Sequence, residues 1–100
     1  MFIGVARYDL FIPMSASLKD KRQVLRSVNQ TIQKKFNVAI SEVDHQNLWQ
    51  RAALEVTCVA ESGGHCRKVL DEVERTIEKI AADRAEIIER RIEIMSMEDL

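Results

Sequence analysis

The chain predicts an α+β sandwich, one four-stranded antiparallel sheet covered on one face by two helices, and three observations carry that expectation. Apolar residues alternate with polar ones in four separate stretches. In two others they switch to three-to-four spacing. The switches run in the order strand, helix, strand, strand, helix, strand.

The first strand is expected from Phe2 to Ile12, where Phe2, Ala6, Tyr8, Leu10 and Ile12 are apolar, Gly4 stands among them, and Arg7 and Asp9 fall on the other face. Pro13 removes a backbone donor and stops it. Ser17 with Asp20 three positions later forms a Ser-x-x-acid capping box, which opens a helix whose stripe Leu18, Leu25, Val28, Ile32 and Phe36, with Val24 beside it, runs to about residue 36. Asn37 tolerates the left-handed backbone of a helix C-cap, and Val38–Val43 resumes β composition. In Arg51–Ala60, Ala52, Leu54, Val56, Cys58 and Ala60 form an inward face against Arg51, Glu55 and Thr57.

Ser62 is the expected cap of a second helix, with Gly63-Gly64 read as a turn and Cys66, Val69, Leu70, Val73, Ile77 and Ile80 as its buried stripe. From Ala85 onward Ile88, Ile92 and Ile94 alternate with Glu89, Arg91 and Glu93, Arg90 being the exception, and a short polar tail follows. This order is that of the ferredoxin-like split βαβ motif, with strand order 4-1-3-2 and both helices on one face. A differently threaded two-layer sandwich is the alternative.

One domain over residues 1–100 is expected from a chain that is 46% hydrophobic and 31% charged. No apolar run approaches the roughly 18 residues of a membrane span, and the amino terminus lacks a signal-peptide pattern, so a cytoplasmic location is expected with Cys58 and Cys66 reduced. The net charge of −1 argues against a protein that merely coats nucleic acid. Its distribution is uneven: residues 1–51 sum to +4 and residues 52–100 to −5. Such asymmetry suits either a basic contact face or complementary surfaces on two copies.

The first candidate site is the helix-one turn Ser17, Lys19, Lys21 and Arg22, extended by Arg26. Cations crowd a helix end whose dipole and free N–H groups already favour an anion, so the turn is a seat for phosphate. The plain alternative is a set of solvated charges. The second is the connection between the central strands, Asp44, His45, Gln46, Trp49, Gln50 and Arg51, which is longer and more apolar than a hairpin needs. Trp49 there either anchors a partner or folds with Leu48 over the core edge as a plug, the plug being favoured.

No catalytic residues, metal ligands or cofactor are expected. His65-Cys66, His45 and Cys58 lack ligand spacing, and Gly63-Gly64 lacks the remainder of a phosphate loop. The open sheet face, Ile3, Val5, Arg7, Asp9 and Phe11 with Arg51, Ala53, Glu55, Thr57 and Val59, has too few aromatics for an RNA-recognition platform and reads as a partly buried contact surface.

Gly4-Val5, Ser17-Leu18-Lys19-x-Lys21-Arg22, Phe36-Asn37-Val38 and above all Glu42-Val43-Asp44-His45-Gln46-x-Leu48-Trp49-Gln50-Arg51-Ala52 resemble the YlxP-like family of small bacterial proteins. The resemblance spans nearly the whole chain and is most specific in the helix-one turn and in Asp44–Ala52. It implies a ferredoxin-like fold and a gene neighbourhood of translation-initiation and ribosome-binding factors, and it marks Lys19, Lys21, Arg22, Asp44, Gln50 and Arg51 as matching positions without assigning them chemistry. The expected function is a non-enzymatic binding protein contacting structured RNA or a ribonucleoprotein through the basic turn. A homodimeric protein-interaction module is the alternative.

Overall fold

The computed structural model describes residues 1–99. Its elements are β1 (Phe2–Phe11), α1 (Leu18–Lys35), β2 (Ala39–Asp44), β3 (Arg51–Ala60), α2 (Gly63–Ile80) and β4 (Glu86–Ser96), with a 3-10 turn at Met97–Asp99. All neighbouring strands are antiparallel in the order β2-β3-β1-β4, the predicted order read from the other edge. The fold is ferredoxin-like.

Both helices start as the sequence suggests. The Ser17 hydroxyl accepts from the Asp20 N–H at 3.1 Å, and the Asp20 carboxylate accepts from the Ala16 N–H at 2.9 Å, so the return arm of the box reaches one residue beyond the cap. Ser62 caps α2 by accepting from the His65 N–H at 3.1 Å. Gly63 and Gly64 are therefore the first helical residues of α2 and not a separate turn. At the far end of α1 the cap is Phe36 with extended backbone (φ −127°), and Asn37 takes no left-handed conformation. The C-cap expected at Asn37 is corrected: the chain leaves α1 directly into the extended lead of β2.

Side chains pointing from the sheet toward the helices form one continuous core, with Ala6, Tyr8 and Leu10 of β1, Leu54 and Val56 of β3, Val28 and Ile32 of α1, and Leu70, Val73 and Ile77 of α2 all sealed from solvent. Each large apolar side chain buried in this way contributes about 1.5–3 kcal/mol. Tyr8 is the largest, and its hydroxyl donates to the Leu70 carbonyl at 2.8 Å, which satisfies the one polar atom it brings inside.

Two irregularities shape the open face. In β2 the register slips between Glu42 and Asp44, so Val43 is extra and Asp44 comes opposite Ala53 on the open face. In β4 it slips opposite Asp9 and Leu10, so that Ile87 packs on the core and Ile88 is exposed. The expectation of an inward Ile88 is corrected by that bulge. Arg90, the break in the alternation, pairs with the buried Glu74 of α2.

Read across β2, β3, β1 and β4, the open face carries the rows Ala39, Thr57, Val5, Glu93; Ser41, Glu55, Arg7, Arg91; and Asp44, Ala53, Asp9, Glu89. Beyond these lie Val59, Ile3, Met95 at one end and Arg51, Phe11, Glu86 at the other. One end is apolar and the other is charged.

Candidate functional site

Lys21 is where structure and sequence part most sharply. Its side chain is buried, at 1% residual exposure, and points under the β2–β3 connection. Its ammonium donates to the carbonyls of His45 (2.8 Å), Gln46 (3.1 Å) and Arg51 (3.3 Å), and the Glu42 carboxylate lies 3.0 Å away. Three donors meet three carbonyls, and Glu42 supplies the compensating charge. Lys21 is therefore removed from the anion seat proposed for it: it is a structural lysine that fastens residues 45–51 to the first turns of α1.

What remains of the basic turn lies on the opposite side of the helix. Lys19, Arg22 and Arg26 stand at i, i+3 and i+7, share one exposed face, and have no ion pair among the described residues. Asp20, the only acid in α1, is engaged in the cap. Ser17 is occupied in the same cap and turns no hydroxyl toward these cations.

The Lys21 clamp gives the β2–β3 connection a fixed course. Leu48 N–H donates to the His45 carbonyl at 3.0 Å, the Gln50 carbonyl accepts from Ile12 N–H at 2.8 Å, and the Gln50 side-chain amide donates to the Pro13 carbonyl at 2.9 Å. Gln50 thus ties the loop to the β1–α1 turn, and Gln46 contributes its carbonyl to the clamp. Trp49 and Leu48 remain 54% and 49% exposed. The plug expected of them is corrected: the main chain is anchored while the two side chains face outward, close in sequence to the exposed Val43 and beside the turn bearing the exposed Met14.

His45 adopts φ 60°, the left-handed region, which costs a non-glycine residue about 1–2 kcal/mol. Its surroundings hold it there. The Asp44 carboxylate accepts from the His45 N–H at 2.8 Å, Lys21 takes its carbonyl, and its imidazole Nε2 lies 3.6 Å from Asp9. Asp9 is buried on the open face and accepts from Arg7 Nε and Nη2 at 3.2 and 3.3 Å, while Arg7 Nη2 also donates to Asp44 at 3.2 Å. The Asp44 carboxyl is held below its usual range by the His45 N–H first and by the Arg7 guanidinium second.

Arg7, Asp9 and His45 line a cavity of about 340 Å³ whose other walls are Arg51, Glu89, Arg90 and Arg91. Asp44 and Arg51, expected at a partner-contact loop, are thus brought to the sheet face with His45. Arg7 and Asp9 were missed as site residues. Their signal was an Arg-x-Asp pair on the outward phase of a central strand, where solvent-facing apolar or neutral residues would have sufficed. Among the described residues no group of three or more His, Cys, Asp or Glu is arranged to hold a metal ion, and no helix is long and apolar enough to cross a membrane.

Residues 3–92 match the family model described as protein of unknown function (DUF503). The chain belongs to the DUF503 family. The curated "Uncharacterized protein YlxP" of Bacillus subtilis (strain 168) is 38% identical over 85 residues, which cover 75% of this chain and 92% of the relative. This establishes the YlxP-like relationship indicated by the helix-one turn and Asp44–Ala52. Among solved structures, a de novo designed protein with ferredoxin fold, LFR1 1, superposes on 97% of this DUF503 chain and 88% of its own with TM-score 0.54 and 15% identity. The crystal structure named "Putative Chlorite dismutase TA0507" matches 99% of this chain with TM-score 0.67 and 8% identity. This chain spans 46% of that protein's length. At these identities the structural matches bear on the fold.

Proposed function

We propose that this DUF503 chain is a non-enzymatic RNA-binding protein whose contact surface is the exposed basic face of α1 together with the anchored loop that presents Trp49. The observation that carries the reading is the stripe Lys19, Arg22 and Arg26, three cations on one solvent face with no carboxylate partner among the described residues. Such a stripe follows a phosphate backbone, and the exposed Trp49 offers a stacking surface for an unpaired base. Because Lys21 and Gln50 fix the loop on the protein side, Trp49 is presented with little ordering cost on binding. The resemblance to a family encoded near translation factors favours structured ribosomal RNA as the target class.

Labelled ribosomal RNA hairpins titrated by fluorescence anisotropy test the proposal. Lys19→Glu, Arg22→Glu and Arg26→Glu together are expected to weaken binding at least about tenfold at low salt and to flatten the dependence on salt, since roughly one counterion is released per phosphate contact. Trp49→Ala is expected to weaken binding without changing the salt slope. Absence of low-salt binding, or binding indifferent to the triple reversal, removes the reading.

A second reading, self-association as a protein-interaction module, is favoured by the apolar end of the open sheet, where Val59 is 59% exposed beside Ile3 and Met95. Light scattering at high micromolar concentration is expected to give twice the 11.5 kDa chain mass, and Val59→Asp to return the monomer. A monomer throughout excludes it.

A further inference from the structure

We propose that the charged end of the open sheet face is a binding site for a small oxyanion, a phosphate or phosphomonoester, seated between Arg51 and Arg91. It lies on a different surface from the α1 stripe and does not depend on the RNA reading.

Three observations converge. The Arg51 Nε is buried and has no hydrogen-bond partner. An ionic donor removed from water without an acceptor is costly, so the position is arranged for an acceptor to arrive. Second, Arg91 lies directly opposite Arg7 in the β1–β4 ladder and has no ion pair among the described residues. Arg7 is already compensated by Asp9 and Asp44, so Arg91 is the arginine of this pair left without a counter-charge. Third, both guanidinium groups line the same cavity of about 340 Å³, at the lower end of the range for small-ligand pockets.

The acids nearby do not already fill this role. Asp9 and Asp44 are held by Arg7, whose guanidinium divides its donors between them. Glu89 also lines the cavity, yet it forms no ion pair with Arg51 or Arg91 among the described residues. Arg7 is thus occupied by Asp9 and Asp44, and Arg51 and Arg91 are the two lining guanidinium groups without an ion pair among the described residues. Planar forks with several N–H donors match the oxygens of a phosphate better than ammonium groups would. The His45 imidazole, 3.6 Å from Asp9, and Glu89 form further parts of the cavity wall.

The test is calorimetric titration of the full chain with inorganic phosphate and, separately, with adenosine 5′-monophosphate, supported by amide chemical shifts. One site per chain with affinity near or below about 1 mM is expected, with shifts centred on Phe11, Ala53 and Glu89. Arg51→Gln and Arg91→Gln are each expected to weaken it at least about tenfold, and Lys19→Glu with Arg22→Glu to leave it unchanged. Arg91 is exposed, so its variant keeps the test decisive if Arg51→Gln perturbs folding. Response to phosphate alone identifies the free anion, and response to the nucleotide alone a phosphomonoester. No saturable response to either probe, or loss through the α1 variant in place of the arginine variants, overturns the proposal.

Discussion

Lys21→Met is expected to destabilise the protein by about 3–5 kcal/mol, the range found when one partner of a buried ion pair is removed and the other is left behind. The substitution keeps the aliphatic volume under the β2–β3 connection but strands the Glu42 carboxylate and the carbonyls of His45, Gln46 and Arg51. The double variant Lys21→Met with Glu42→Leu separates these contributions. It should recover the part owed to the orphaned carboxylate and not the part owed to the carbonyls, which remain without donors whatever occupies residue 42. Urea denaturation gives the free energies, and amide exchange locates the damage. Protection is expected to be lost first across residues 45–51, because the ammonium holds both ends of that segment. A loss below about 1 kcal/mol for the single variant, or unchanged exchange in the loop, would show that the clamp is unimportant.

Architecture was legible in the chain because it depends on period and order, and both survive translation into packing. The alternation in Phe2–Phe11 and Arg51–Ala60 and the helical stripe through Cys66, Leu70, Val73 and Ile77 specify faces, and faces leave little choice of layer arrangement. The bulges were not legible. A single extra residue at Val43 or Ile88 alters which side chains look outward, yet it changes composition not at all.

Lys21 is the instructive failure, since the chain did contain its signal. Position 21 lies three residues after Leu18 and four before Leu25, on the very stripe that the apolar residues define, so helical geometry already placed it inward. Its charge argued for solvent, and the conflict is resolved by acceptors supplied from residues 24 to 30 positions away, which no local reading contains. Trp49 fails in the opposite sense. Its size argued for burial, while the loop that carries it is secured entirely through main-chain groups and Gln50, leaving the indole unneeded by the fold. A buried cation and an exposed tryptophan a few residues from its acceptors are two halves of one arrangement: the charge fixes the loop so that the aromatic can be offered outward.

Gly4→Val is expected to cost about 3 kcal/mol, for a reason of space and not of backbone conformation. Gly4 is the third residue of β1 and faces α2, and a Cβ there would meet Leu70 Cδ1 at 3.0 Å, Cys66 Cβ at 3.1 Å and Cys58 Sγ at 3.2 Å. One of these is the movable end of a leucine, but the other two belong to α2 and β3 close to their backbones, so accommodation requires the helix to back away from the sheet. Overfilled cores typically lose about 1–3 kcal/mol, and a β-branched side chain adds two further carbons to a site that lacks room for one. Gly4→Ala is expected to lose less, about 1–2 kcal/mol, because the reduced freedom of the unfolded chain offsets part of the crowding. Removing one obstructing atom distinguishes packing from a general strand effect: Cys58→Ala should cost stability alone yet relieve Gly4→Ala, giving a favourable coupling of about 1 kcal/mol. Thiol chemistry offers an independent readout. Burial, with the neighbouring Cys66 side chain, pushes the Cys58 thiol up to about 11, so in the native protein it stays protonated and slow to alkylate at neutral pH. Gly4→Val should accelerate that alkylation by loosening α2, whereas Lys21→Met, which acts at the other end of the sheet, should expose the 45–51 loop long before it exposes the cysteines. Stability unchanged or raised in Gly4→Ala would mean that α2 can yield without loss, and the close approach of helix to strand at this glycine would then be a consequence of the residue and not a requirement of the fold.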